Sequence, residues 1–163
     1  MSRSLHPASR RYLKNLRSPW KIGLFFLGRL PTAWWWGIRV GQIDPQRAEV
    51  FLPYNWRSKN PFRSIYFAAQ AGAAELSTGI LLQLALQGRP PTSMLVIDLK
   101  MEFLKKASAT LTFSCEDGAK VFETVETALD TGEPQTLTLL STGRLPDGEV
   151  ASRMWITWSV KKR

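Results

Sequence analysis

Between Ser64 and Leu86 the chain reads SIYFAAQAGAAELSTGILLQLAL, where Glu75 is the sole ionisable residue apart from Tyr66. A stretch this apolar, rich in Ala and holding Gly72 and Gly79, predicts a long helix buried on most faces. Asn60-Pro61 supplies a cap and first-turn signal ahead of it, and Gly88-Arg89-Pro90-Pro91 stops it. Elsewhere the period is two. Ile38 and Val40, then Ala48, Val50, Leu52 and Tyr54, alternate with other positions across Asp44-Pro45 and predict a hairpin. Leu95, Ile97, Leu99, Met101 and Phe103 alternate with Asp98, Lys100 and Glu102, the pattern of a half-buried strand, and 107–114 continue in the same period. Residues 136–142 and 150–160 predict a last strand pair about the turn Leu145-Pro146-Asp147-Gly148. Two shorter helices are expected. One runs from about Pro19 to Gly28 behind Ser18, and one over 119–131 carries Val121, Phe122, Val125 and Leu129 on one face and ends at Gly132. Trp34-Trp35-Trp36 are expected in the core, because large aromatics are mostly buried.

Strand and helix do not alternate, which argues against a parallel α/β sheet. The expected class is α+β: one curved antiparallel sheet of about six strands around the long central helix, with an extra N-terminal helix. A length of 163 residues suits one domain, taken as 19–163 behind a basic tail over 1–18.

The net charge of +9 is unevenly spread. Residues 1–43 hold eight Lys or Arg and no acid, whereas the remainder holds fourteen basic and thirteen acidic residues. An acid-free, Arg- and Ser-containing start is read in three ways: a transit segment, an arm for nucleic acid or anionic membrane, or a basic helix whose Tyr12, Leu13, Leu16 and Trp20 pack on the body. The last is preferred. No nucleic-acid motif is present, so nucleic acid is not expected as a partner, while peripheral membrane contact by the basic N-terminus stays open. The run LFFLGRL is late and interrupted by Arg29, unlike a secretory signal, and the polar positions Gln70, Glu75, Ser77, Thr78 and Gln83 argue against a transmembrane span over 64–86.

The single cysteine, Cys115, excludes an internal disulfide, fits a reducing cytoplasm, and reads as an inert thiol. With His6 the lone histidine, a Ser/His or Cys/His pair and a zinc site of ordinary ligands are not expected, nor is a bound cofactor. Chemistry therefore concentrates on Glu75. A carboxylate among Ala and Leu is costly to bury and has its pKa raised, which suits a general base; a hydrogen bond to a neighbouring strand or a dimer mate is the structural alternative.

The block LPYNWRSKNPFRSIYFAAQAGAAELSTG, with Asn60-x-x-x-Ser64 before the small-residue helix and Glu75, resembles the hotdog superfamily of acyl-CoA thioesterases. Phenylacetate-type members carry Asn-x-x-Gly-x-x-His-Gly-Gly with an acid fifteen residues after the Asn, the spacing of Asn60 and Glu75. The likeness extends over about 19–162 to an uncharacterised branch, a domain-of-unknown-function family, with strands like LVIDLKMEFLKKA and WxVKK. It implies a sheet curled around the central helix and a homodimer, open to pairing into a tetramer, with active sites at the dimer interface. It implies an acyl-CoA or acyl carrier protein thioester as substrate. Glu75 would be general base or nucleophile, and Asn60 would orient water or the thioester. Backbone N–H groups near Ser64 and Ile65 would polarise the carbonyl. Arg57, Lys59 and Arg63 form a basic cluster read either as a solvated loop, which is preferred, or as a contact for CoA phosphates, and Ile65 and Tyr66 would border the substrate. The family's His-Gly-Gly falls on Tyr66-Phe67-Ala68 and its earlier Gly on Arg63, bulkier residues that narrow the space and favour, as the alternative, a non-catalytic acyl- or lipid-binding module.

Overall fold

The apolar stretch forms α4 (Phe67–Leu86) in the computed structural model, which describes residues 5–163. Six strands surround this helix: β1 (Arg39–Ile43), β2 (Ala48–Leu52), β3 (Thr92–Phe103), β4 (Leu111–Cys115), β5 (Gln135–Arg144) and β6 (Val150–Lys162). All neighbouring pairs are antiparallel, in the order β1-β2-β4-β5-β6-β3, so β1 and β3 are the two edges. The α+β class and the curved six-stranded sheet about a central helix are as expected.

The core lies between sheet and helix. Val50, Leu52, Phe113, Leu139, Met154 and Ile156 meet Leu81, Leu82 and Leu84 with almost no solvent contact. Each such side chain contributes about 2 kcal/mol by leaving water. Ser77 and Ser141 share a 2.8 Å hydrogen bond between α4 and β5, so the buried hydroxyls are satisfied. Cys115 is buried, and that burial pushes its thiol up to about 12, leaving it inert at neutral pH.

The N-terminal segment forms three helices, α1 (Pro7–Leu16), α2 (Pro19–Arg29) and α3 (Pro31–Trp36). In α1, Leu13 and Leu16 are buried and Ser9 Oγ donates to the Leu84 carbonyl at 3.2 Å, so this part of the basic segment packs on α4. Burial pushes the Tyr12 hydroxyl up to about 12. Trp20 departs from the expectation, standing 66% exposed. The tryptophan triplet departs too: Trp34 and Trp35 are exposed, and Trp36 alone packs inward against Gly72 of α4. Consecutive residues of a helix point about 100° apart, so three in a row cannot all face one core.

Helix α5 (Gly118–Thr131) closes one flank and ends at Gly132, whose φ of 73° is the left-handed turn that the sequence predicts. At its other end a Cβ on Gly118 would overlap the Pro45 carbonyl and stand 2.6 Å from Gln46 Cα. These are backbone atoms and cannot rotate away. We expect Gly118→Ala to destabilise the fold by about 3 kcal/mol, read as a lower denaturant midpoint with unchanged m-value.

Candidate active site

The segment before α4 is a hydrogen-bonded knuckle, which is why the helix starts later than Asn60-Pro61 suggests. Asn60 Oδ1 accepts from Phe62 N–H at 3.0 Å, Ser64 N–H at 3.2 Å and Ser64 Oγ at 3.1 Å. Arg63 takes φ 57°, and its carbonyl receives the Tyr54 hydroxyl at 3.1 Å. The chain then runs extended: Ile65 N–H donates to the Ala107 carbonyl at 2.8 Å and Tyr66 N–H to the Ser58 carbonyl at 2.7 Å. The expected carbonyl-polarising donors are therefore corrected. Ser64 and Ile65 N–H groups are already spent on the knuckle and on Ala107. Tyr66 is the N-cap, and the first donors that the helix cannot satisfy are Phe67 and Ala68 N–H, without a partner among the described residues.

The first turn of α4 borders a cleft of about 920 Å³. Asn60, Ser64, Ile65 and Tyr66 line it on one side, Phe103 and Leu104 on another, with Lys59, Lys105 and Lys106 also on its wall. The Tyr66 and Phe67 rings meet edge to face at 4.8 Å. Beneath them Gln70 is buried. Its Nε2 donates to the Ile65 carbonyl at 3.1 Å and its Oε1 accepts from Ser152 Oγ at 2.9 Å. Gln70 thus ties knuckle, helix and β6 together. Ser152→Ala leaves that buried oxygen without its partner, and we expect a loss of about 2 kcal/mol in chemical denaturation.

Glu75 lies two turns further along α4, half-buried, outside this cleft. Its Oε1 and the Trp158 ring both border Gly79, 3.5 and 3.4 Å from where a Cβ would stand. Among the described residues no group hydrogen-bonds or pairs with the carboxylate, so the alternative of a tie to a neighbouring strand is not what this chain does. Desolvation raises its pKa above the ordinary carboxylate range. Eight residues of helix separate Phe67 from Glu75, about 12 Å.

The two arginines stand apart from the cleft. Arg57 lies over the Trp35 ring at 5.8 Å, and Arg63 is exposed on the knuckle. The Phe67 and Ala68 N–H groups, Gln70, Phe103 and Leu104 escape the sequence reading. Backbone donors carry no side-chain signature, and the rest become neighbours only through the fold, although Lys105-Lys106 at a strand end is visible in the sequence.

A family model, the domain of unknown function DUF4442, matches residues 20–160. The chain belongs to this family. Solved structures share its hotdog fold. One neighbour in shape is a Pseudomonas aeruginosa protein of unknown function, described as a "probable thioesterase", with TM-score 0.73, 16% identity, and 90% of this chain and 97% of that one covered. A Chlorobaculum tepidum protein of unknown function has TM-score 0.74 and 13% identity, covering 92% of this chain and 99% of its own. A thioesterase from Haemophilus influenzae has TM-score 0.63 and 14% identity, covering 85% and 88%. No curated protein matches the chain. At these identities the likeness is one of fold.

Proposed function

We propose that this DUF4442 protein hydrolyses a thioester of coenzyme A or of an acyl carrier protein, as a homodimer whose two copies complete each active site. The observation that carries this reading is the pair of unpartnered Phe67 and Ala68 N–H groups at the N-terminus of α4, beside a cleft, in a fold shared with thioesterases. Such donors stabilise the oxyanion that forms when a thioester carbonyl is attacked.

Glu75 is the base, and the separation of about 12 Å between it and Phe67 along one helix is why a second copy is needed. The exposed edge β3 supports the pairing. It is twelve residues long and carries Leu95, Ile97, Leu99 and Phe103 in solvent, a surface that single chains seldom leave open. A second β3 laid against it joins the two sheets and brings the partner subunit's base toward the first copy's helix terminus. Glu75 then takes a proton from water, the hydroxide oxygen bonds to the acyl carbon, and the carbon–sulfur bond breaks. The protonated Glu75 gives its proton to the departing thiolate, leaving the acid, the free thiol and the carboxylate of Glu75 restored.

The test is release of free CoA from a panel of acyl-CoA esters, read by a thiol reagent. Buried Cys115, the sole cysteine, adds little background. Thiol release that scales with protein supports the reading. Acyl-CoA binding without release supports the second one, a binding module, which the Tyr66 and Phe67 rings at the cleft favour.

A further inference from the structure

We infer that α2 is a docking helix for an anionic lipid bilayer, a reading independent of the chemistry at the cleft. Helix α2 is apolar nearly all round, the composition of a buried helix, yet it is covered on one side alone. Ile22 and Phe26 face the body, with Phe26 2% exposed. The opposite side holds Trp20, Leu24 and Leu27 at the spacing of one helical stripe, exposed by 66%, 61% and 50%, and Phe25, 54% exposed, stands between that stripe and the covered face with its ring against Phe26. Four large apolar side chains that are half or more in solvent form a patch that calls for a partner.

The charges around it choose that partner. Lys21 and Arg29 are exposed on α2 itself, on one side of the stripe, with Lys21 next to it. Lys21 Nζ donates to Asn15 Oδ1 at 3.1 Å, which holds the end of α1 against α2, and Lys14 in that last turn of α1 is exposed as well. No acid occurs before Asp44. The acids near these helices gather at the far end of α1, where Glu123, Glu126 and Asp130 line a cleft with His6. An apolar stripe edged by cations, with a tryptophan on it, is the composition of a helix lying flat in a lipid interface, its lysines reaching the head groups. At eleven residues α2 is about 16 Å long, too short to cross a bilayer, and no helix of the described residues is long and apolar enough to do so.

The experiment is co-sedimentation of the full chain with vesicles of phosphatidylcholine alone and of phosphatidylcholine with phosphatidylglycerol. The chain should pellet with the anionic vesicles and be released by salt. Lys21→Gln and Arg29→Gln should each weaken binding roughly fivefold. Leu24→Ser with Leu27→Ser should weaken it by at least about tenfold, with an unchanged melting curve because both side chains are half or more exposed on the side away from the body. Failure of the chain to bind anionic vesicles overturns the inference, as does equal binding by the charge and serine variants. So does a serine variant that halves the mass at sedimentation equilibrium without vesicles, which would assign the patch to a second copy.

Discussion

Replacing Glu75 by Gln is expected to lower kcat for thioester hydrolysis by about 10²–10⁴ while making the protein more stable at neutral pH. The two effects have one origin. Burial has stripped the carboxylate of water, and among the described residues no donor or cation replaces it, so its pKa is raised by desolvation. A base needs that basicity, but the fold bears a cost for holding the charged form. The sign follows from proton linkage. Between the ordinary carboxylate range and the raised folded value, the folded chain binds more protons than the unfolded one, so stability falls as pH rises through this window. Above the folded pKa the full penalty is present; below the unfolded pKa it is gone. A glutamine side chain in its place carries no charge at any pH. The melting temperature of the Glu75→Gln variant should therefore exceed that of the wild type at neutral pH, and the gap should close as the pH is lowered through the window. Activity in the wild type should rise across that same window as the base deprotonates. A Gln variant that is less stable at every pH would mean that the carboxylate makes a structural bond, across a dimer interface for instance. A Gln variant with full turnover would remove Glu75 from the chemistry.

The elements whose periodicity is local were legible from the residues alone. The strand over 95–103, the face of α5 and the turn at Gly132 each rest on neighbours in sequence and form there, but the inner face expected for that strand is corrected: Leu95, Ile97, Leu99 and Phe103 stand in solvent, while Met94 and Val96 pack on the core and the register shifts between Val96 and Asp98. The start of α4 was not legible, because it depends on Ile65 N–H reaching Ala107, forty-two residues away in the chain. Asn60-Pro61 sends the same local signal whether it opens a helix or a knuckle, and distant partners decide for the knuckle. The site was legible in its acid and illegible in its donors. Glu75 stands out because charge is rare in such a stretch, whereas an N–H group belongs to every residue except proline and is distinguished solely by what fails to bond it. Arg57 shows the converse: a basic side chain close in sequence to a candidate site looks like a phosphate ligand, but it lies over the Trp35 ring and lines a different cleft from the one at the start of α4.

The donors can be tested without disturbing the fold, because α4 begins where proline is welcome. Phe67 is the first helical residue, and Tyr66 before it has φ −62° and ψ 136°, the extended conformation that a following proline demands. Phe67→Pro thus deletes one N–H with little strain and without removing any helical hydrogen bond, since that N–H has no acceptor in the helix. It also deletes a ring, so Phe67→Ala is the necessary partner variant: it loses the ring and keeps the donor. If the Phe67 N–H holds the oxyanion, the proline variant should fall below the alanine variant in kcat by about 10²–10³, with similar KM and an equal or higher melting temperature. Equal rates in the two variants would assign the oxyanion to other donors. A loss shared by both, relative to the wild type, would point to the Phe67 ring and its edge-to-face contact with Tyr66 as what shapes the cleft. A Pro variant that keeps its fold and its affinity yet loses turnover would tie catalysis to a single backbone hydrogen.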